Sequence, residues 1–148
     1  MTMTDRTIVV LAALLGLAVG AGAADKNPLA TTLQGVVEDH VRAYNARDVQ
    51  GAMRDVHSQS PEYDSTKAAM EEQFRDLPVT AQLVDFKYMG HDDEFAVARM
   101  KLKIAGPPTS QFQNNVVDEV MLFHQQGGTW KLWSDDVLGV EFVEFAPK

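Results

Sequence analysis

The sequence contains no cysteine. That absence excludes a disulfide framework, a thiolate metal site, a cysteine nucleophile and a lipid anchor built on cysteine. Positive charge is also scarce. There are 13 Lys and Arg against 21 Asp and Glu, a formal net charge of −8. Such a chain lacks the positive field that nucleic acid or an anionic membrane surface requires, so neither is an expected partner. His40, His57, His91 and His124 are scattered without HxH or HExxH spacing, so no metal site is expected. No internal repeat and no low-complexity segment is present. A chain of 148 residues with 45% hydrophobic content therefore stands on one core, in one domain.

The one long apolar run is at the start. Ile8 to Val19 reads IVVLAALLGLAV and precedes the small-residue pattern Ala21-Gly22-Ala23. A spanning helix needs about 20 apolar residues, and this run is shorter. Residues 1–23 are read as a cleavable signal peptide, cut after Ala23 or Ala24. The expected product is a periplasmic or secreted domain, 24–148, with no membrane span after cleavage. Export removes a ready nucleotide supply, and no cofactor is expected.

Helical spacing follows. Asn27-Pro28 is a cap with proline at the first helical position. Leu33, Val36, Val37, Val41 and Tyr44 then form an apolar stripe, with His40 beside it as a packed or solvent-edge residue. This helix is expected to end near Asn45 to Asp48. Asp48 caps a short second helix through Val56. The segment His57 to Tyr63, HSQSPEY, is a loop. Asp64 or Ser65 caps a third helix with Met70, Phe74 and Leu77 on its buried stripe, stopped by Pro78.

Strand patterns fill the second half. In 79–89, Thr80, Gln82, Val84, Phe86 and Tyr88 alternate against Val79, Ala81 and Leu83, and 90–93 is a turn. In 94–104, Ala96, Ala98, Met100, Leu102 and Ile104 oppose Phe95, Val97, Arg99, Lys101 and Lys103. A hairpin from Phe112 to Trp133 follows, turning at Gln125 to Gly128. Its first strand is apolar on both faces, which predicts a central strand covered on both sides, although Asp118 and Glu119 sit in its middle. Trp130 is expected toward the core and Trp133 away from it. Val137 to Phe145 is a last strand or strand-like tail. Helices first and antiparallel strands afterwards make an α+β fold.

The pieces YNARD, HSQSPEY, DDEFAVARM and GGTWKLW, in that order, resemble the nuclear transport factor 2-like superfamily, and more narrowly its small SnoaL-like bacterial members of unassigned function. The resemblance spans roughly Leu29 to Val137. It implies a cone, in which N-terminal helices pack on a strongly curved antiparallel sheet of cystatin-like type around a cavity. Members include isomerases, dehydratases, cyclases and non-enzymatic binding domains, so the fold does not fix the function. The family's catalytic groups do not map onto this chain residue by residue.

Candidate sites follow from these patterns. Asp118 and Glu119 are candidate pocket acids, but adjacent strand residues face opposite ways, so at most one enters a cavity; Glu119 is preferred. His57, beside Ser58, Ser60 and Tyr63, is a weaker catalytic candidate, with a rim-ordering loop as the plainer reading. Tyr44, Tyr63, Phe74, Met100 and Trp130 are candidate pocket walls for a small apolar or amphipathic ligand. Phe95, Val97 and Trp133 form a candidate homodimer face. Three functions stay open: a ligand-binding domain, a protein-interaction domain, and a cofactor-independent lyase or isomerase using a pocket carboxylate. An ionisable group with a shifted pKa inside a cavity would favour the enzyme.

Overall fold

In a computed structural model, residues 27–144 are described. The expected signal peptide and its cleavage point lie outside these residues, as does Phe145. The chain order is α1 (Pro28–Asn45), α2 (Val49–Arg54), α3 (Tyr63–Asp76), then β1 (Thr80–His91), β2 (Phe95–Ala105), β3 (Asn115–Gln126) and β4 (Thr129–Phe142). The strands form one antiparallel sheet in the order β1-β2-β3-β4.

Local chemistry sets the helix ends. The Asn27 side chain accepts the Leu29 N–H at 3.0 Å, and Pro28 opens α1. Asp48 accepts the Gly51 N–H at 2.8 Å and starts α2. Gly51 has no room for a side chain. A Cβ there would lie 2.2 Å from Asp48 Oδ2 and 3.2 Å from Ala43 Cβ, so glycine lets α2 fold back on α1. The third helix begins at Tyr63, earlier than the expected caps Asp64 or Ser65. Glu62 stands at its cap without a side-chain bond, and Asp64 lies in the first turn. At the other end of α1, Asn45 donates to Ala81 O and accepts the Ala81 N–H, both at 2.8 Å. Its amide mimics a strand partner and ties α1 to the edge of β1.

The inner face of the sheet meets the helices. Ala96, Ala98 and Met100 of β2, Met121 and Phe123 of β3 and Leu132 of β4 are buried against Leu33, Val37, Ala52, Met53 and Met70. Bulges bend the sheet in β1, near Val84 and Met89, and in β4, near Trp133 and Leu138. The bulge at Val84 corrects the expected alternation. Leu83 pairs with Leu102, yet Phe86 pairs with Met100, so both fall on the core side, while Val84 is exposed. Tyr88 follows Phe86 inward.

Two further differences concern the hairpin. Its turn, with Gly127 at φ 59° and Gly128 at φ 78°, feeds a single strand, β4, that continues through Phe142. And β3, although internal, is covered on one side only. Its outer residues Val116, Val120 and Leu122 are half-buried, because no helix among the described residues lies over that face. The segment after α2 runs beside β4 instead. Leu132 donates to Asp55 O and His57 donates to Leu132 O, both at 2.8 Å, making a parallel bridge between Val56 and Leu132.

Candidate functional site

Two helices and the inner sheet face line a half-open cavity of about 430 Å³ on the interior side of the sheet. From α1 come Val37, His40, Val41 and Tyr44; from α3 come Thr66, Ala69, Met70 and Gln73. Both sets follow i, i+3, i+4, i+7 spacing, so each is one helix face. The sheet supplies Met100, Leu102, Glu119, Met121, Leu132 and Asp135. A recess of about 60 Å³, reaching toward Ser60 and Trp133, shares His40, Thr66, Met121, Leu132 and Asp135 with it. A larger groove of about 710 Å³ lies between the 106–114 loop and the end of β4. It has no lining residue in common with the interior cavity, and its charged residues are Lys103 and Glu144.

The interior cavity holds a group of ionisable side chains. Glu119 is buried, at 7% exposure, and no cation or hydrogen-bond donor meets its carboxyl among the described residues. Burial and the neighbouring charge of Asp135 push its pKa up to about 7. The register explains this proximity. Asp135 lies opposite Met121, diagonal to Glu119 on the same face. Asp135 is exposed as a residue, but partial burial on its cavity side, with Asp136 beside it, raises its pKa, partly offset by His40.

His40 is the third member. Its Nδ1 lies 3.0 Å from Ala52 O. A carbonyl only accepts, so Nδ1 carries the proton and Nε2 of the neutral ring is an acceptor. Burial lowers the His40 pKa, opposed by the Ala52 carbonyl and the charges of Asp55 and Asp135. Tyr44, whose hydroxyl bonds Gln73, is pushed up by burial. Glu119, pushed up to about 7, can bind or release a proton near neutral pH, beside an apolar wall.

The sequence candidates separate cleanly. Glu119 faces the cavity. Asp118 faces outward, where Arg99 grips it with Nε at 2.8 Å and Nη2 at 2.6 Å. That bidentate pair holds the Asp118 carboxyl below the usual range. Tyr44 and Met100 line the cavity. Tyr63, Phe74 and Trp130 pack on the core and are not among the residues lining it. Phe74 stacks edge-on to Tyr44, with centroids 5.1 Å apart.

His57 is occupied by the backbone. Its Nδ1 accepts the Gln59 N–H at 3.1 Å and Nε2 lies 3.3 Å from Gln125 O. Ser60 donates to Trp133 O at 2.5 Å and accepts the Glu62 N–H at 3.1 Å. Neither residue has a base–nucleophile geometry; both fasten the loop to β4. Phe95 and Trp133 join His57 and His124 in an aromatic cluster at this end of the sheet, with Trp133 centred 4.9 Å from His57 and 4.7 Å from His124. Val97 and Trp133 are half-buried. Among the described residues, no three His, Asp or Glu are grouped to hold a metal ion.

Sequence reading missed Asp135 and undervalued His40. Both depend on which strand α1 crosses, and the sequence pattern carried no signal for that.

Residues 35–143 match the family model described as the anti-sigma-I factor RsgI9, C-terminal domain. This span contains every residue lining the cavity. No curated protein matches the sequence. Among solved structures, a cystatin-like protein of unknown function from Nostoc punctiforme superposes with a TM-score of 0.60 at 8% identity, covering 72% of this chain and 87% of that one. A nuclear transport factor 2-like protein of unknown function from Pseudomonas putida gives 0.60 at 15% identity, covering 72% and 83%. A protein named for scytalone dehydratase, from Novosphingobium aromaticivorans, gives 0.60 at 8% identity, covering 78% and 88%. At these identities the likeness is one of fold. It is the nuclear transport factor 2-like, cystatin-like fold that the sequence motifs resemble.

Proposed function

We propose, for a chain that belongs to the family of the anti-sigma-I factor RsgI9 C-terminal domain, that its interior cavity is a binding site for a small amphipathic molecule. One observation carries this reading: a half-open cavity of about 430 Å³ lies between the helices and the inner sheet face, with apolar walls and a small convergent polar group. Ligand sites typically measure about 300–1,000 Å³ and have this division of labour. Met70, Met100, Leu102 and Val41 supply the apolar wall. Glu119, Asp135 and His40 supply the polar end. We further propose that the domain works after export, with the segment 1–23 as its signal.

The test is saturable binding of the neutral fluorophore N-phenyl-1-naphthylamine. One site per chain is expected, lost in Ala69→Trp at the cavity wall. Fluorescence that persists unchanged in Ala69→Trp would place the dye elsewhere and overturn the reading.

A second reading has its own support. A carboxyl held near 7 is matched to acid–base work at neutral pH. In that reading Glu119 moves a proton of a bound substrate, and His40 Nε2 serves as the partner acceptor in a cofactor-independent lyase or isomerase. A substrate turned over by the wild-type protein and not by Glu119→Gln would favour it over binding alone.

A further inference from the structure

The charge of the ligand follows from what the cavity lacks. Its titratable groups are His40 and Tyr44 from α1, Glu119 from β3 and Asp135 from β4, with Asp136 next to Asp135; the α3 wall contributes none. No Lys or Arg among the described residues lines it. Glu119 is more than nine-tenths buried, and its carboxyl oxygens open to the cavity, where no donor or cation among the described residues meets them. Asp135 lines the cavity but is exposed, and its interior neighbour is the offsetting charge of His40, whose Nδ1 proton is committed to Ala52 O. An ionised carboxylate buried without a partner is costly, and folded proteins supply one wherever they can. Here the outer face shows the contrast, since Asp118 next in sequence has its arginine.

We propose that the cavity is built for a cationic amphiphile: an alkyl amine whose ammonium group sits between Glu119 and Asp135 and whose chain lies along Met70, Met100 and Leu102. The inference rests on the binding reading above and gives it a ligand class. An ammonium brings three donors and one positive charge to Glu119, which has neither among the described residues, and to Asp135 beside it. A neutral ligand leaves Glu119 as it is. A carboxylate ligand adds a third acid to the same space.

The experiment is calorimetric titration of the folded protein with octylamine, octanol and octanoate, in buffered physiological salt at pH 8. Octylamine is expected to bind about tenfold or more tightly than octanol, the scale of one charge-assisted hydrogen bond. Octanoate is expected to bind weakest. The preference for the amine should shrink at pH 5.5, where Glu119 takes up its proton. In Glu119→Gln it should fall to near parity, while octanol still binds. That variant removes a single buried charge, so a preference arising only from the acidic surface would survive it. Octanol or octanoate matching octylamine in the wild-type protein would overturn the charge assignment and leave the cavity reading intact. An undiminished preference in Glu119→Gln would overturn the site. Binding of none of the three would overturn both the charge assignment and the cavity reading.

Discussion

Asp118 and Glu119 are neighbours in sequence and opposites in every physical respect. One faces outward, bidentate to Arg99, and its carboxyl is held below the ordinary range. The other faces inward, unpartnered, and is carried to about 7. The pleat of β3 alone makes the difference, because successive side chains leave a strand on opposite sides. The outer face behaves as a surface, where an ion pair is easily made and contributes little. The inner face behaves as a site, where a charge is tolerated at a cost. A fold selected only for stability would place a leucine at Glu119.

The largest expected effect tests whether the inner face is the core. Phe123→Ala removes a fully buried ring and should destabilise by about 3–5 kcal/mol in denaturant unfolding. Leu122→Ala, on the outer face one residue away, should cost about 1 kcal/mol. Equal losses would erase the distinction between the faces.

Glu119→Gln comes next, with the opposite sign. The folded carboxyl titrates near 7, above its ordinary 4.5. Its favourable contribution is therefore complete below about pH 4.5 and lost as pH rises through 7. The ionised form costs roughly 3 kcal/mol, which glutamine avoids. The variant should be more stable than the wild type at pH 8 by up to that amount, and no more stable at pH 4. A less stable variant at pH 8 would reveal a partner for Glu119.

Asp118→Asn should do the reverse and do less. Its folded pKa is depressed, so its stabilisation is present above the ordinary carboxylate value and lost as pH falls through the depressed one. Urea unfolding at pH 7 should show a small loss, shrinking in high salt. A salt-independent loss would indicate a packing role for the Arg99–Asp118 pair.

The smallest effect on stability comes from Val97→Glu on the outer face, where a homodimer is proposed through Phe95, Val97 and Trp133. Sedimentation should show a wild-type dimer shifted toward monomer by this change. A monomeric wild type removes that interface.

Much of this was legible in the sequence, and the misses have physical reasons. Asn27, Asp48 and Pro78 marked helix ends because capping and proline chemistry are local. The alternation in β2 assigned its inner face correctly, whereas β3, apolar on both faces, read as covered on both sides, with Glu119 only preferred over Asp118 as the cavity acid. In β1 the alternation failed after Val84, since one bulged residue reverses the parity up to the next bulge near Met89 and leaves no mark in composition. Asp135 was hidden in a stretch that reads as a connection between strands but is the middle of β4. His40 looked like a packed edge residue until α1 was laid across the sheet. Sites assembled from separate elements depend on that crossing, and periodicity within one element does not encode it.

The central claim is that Glu119 is an unpaired acid facing a cavity, and carboxyl-carbon NMR titration tests it most directly. With Asp118 in the same spectrum as internal reference, Glu119 should titrate near 7 and Asp118 below the ordinary carboxylate range. A Glu119 that titrates near 4.5 would contradict the account.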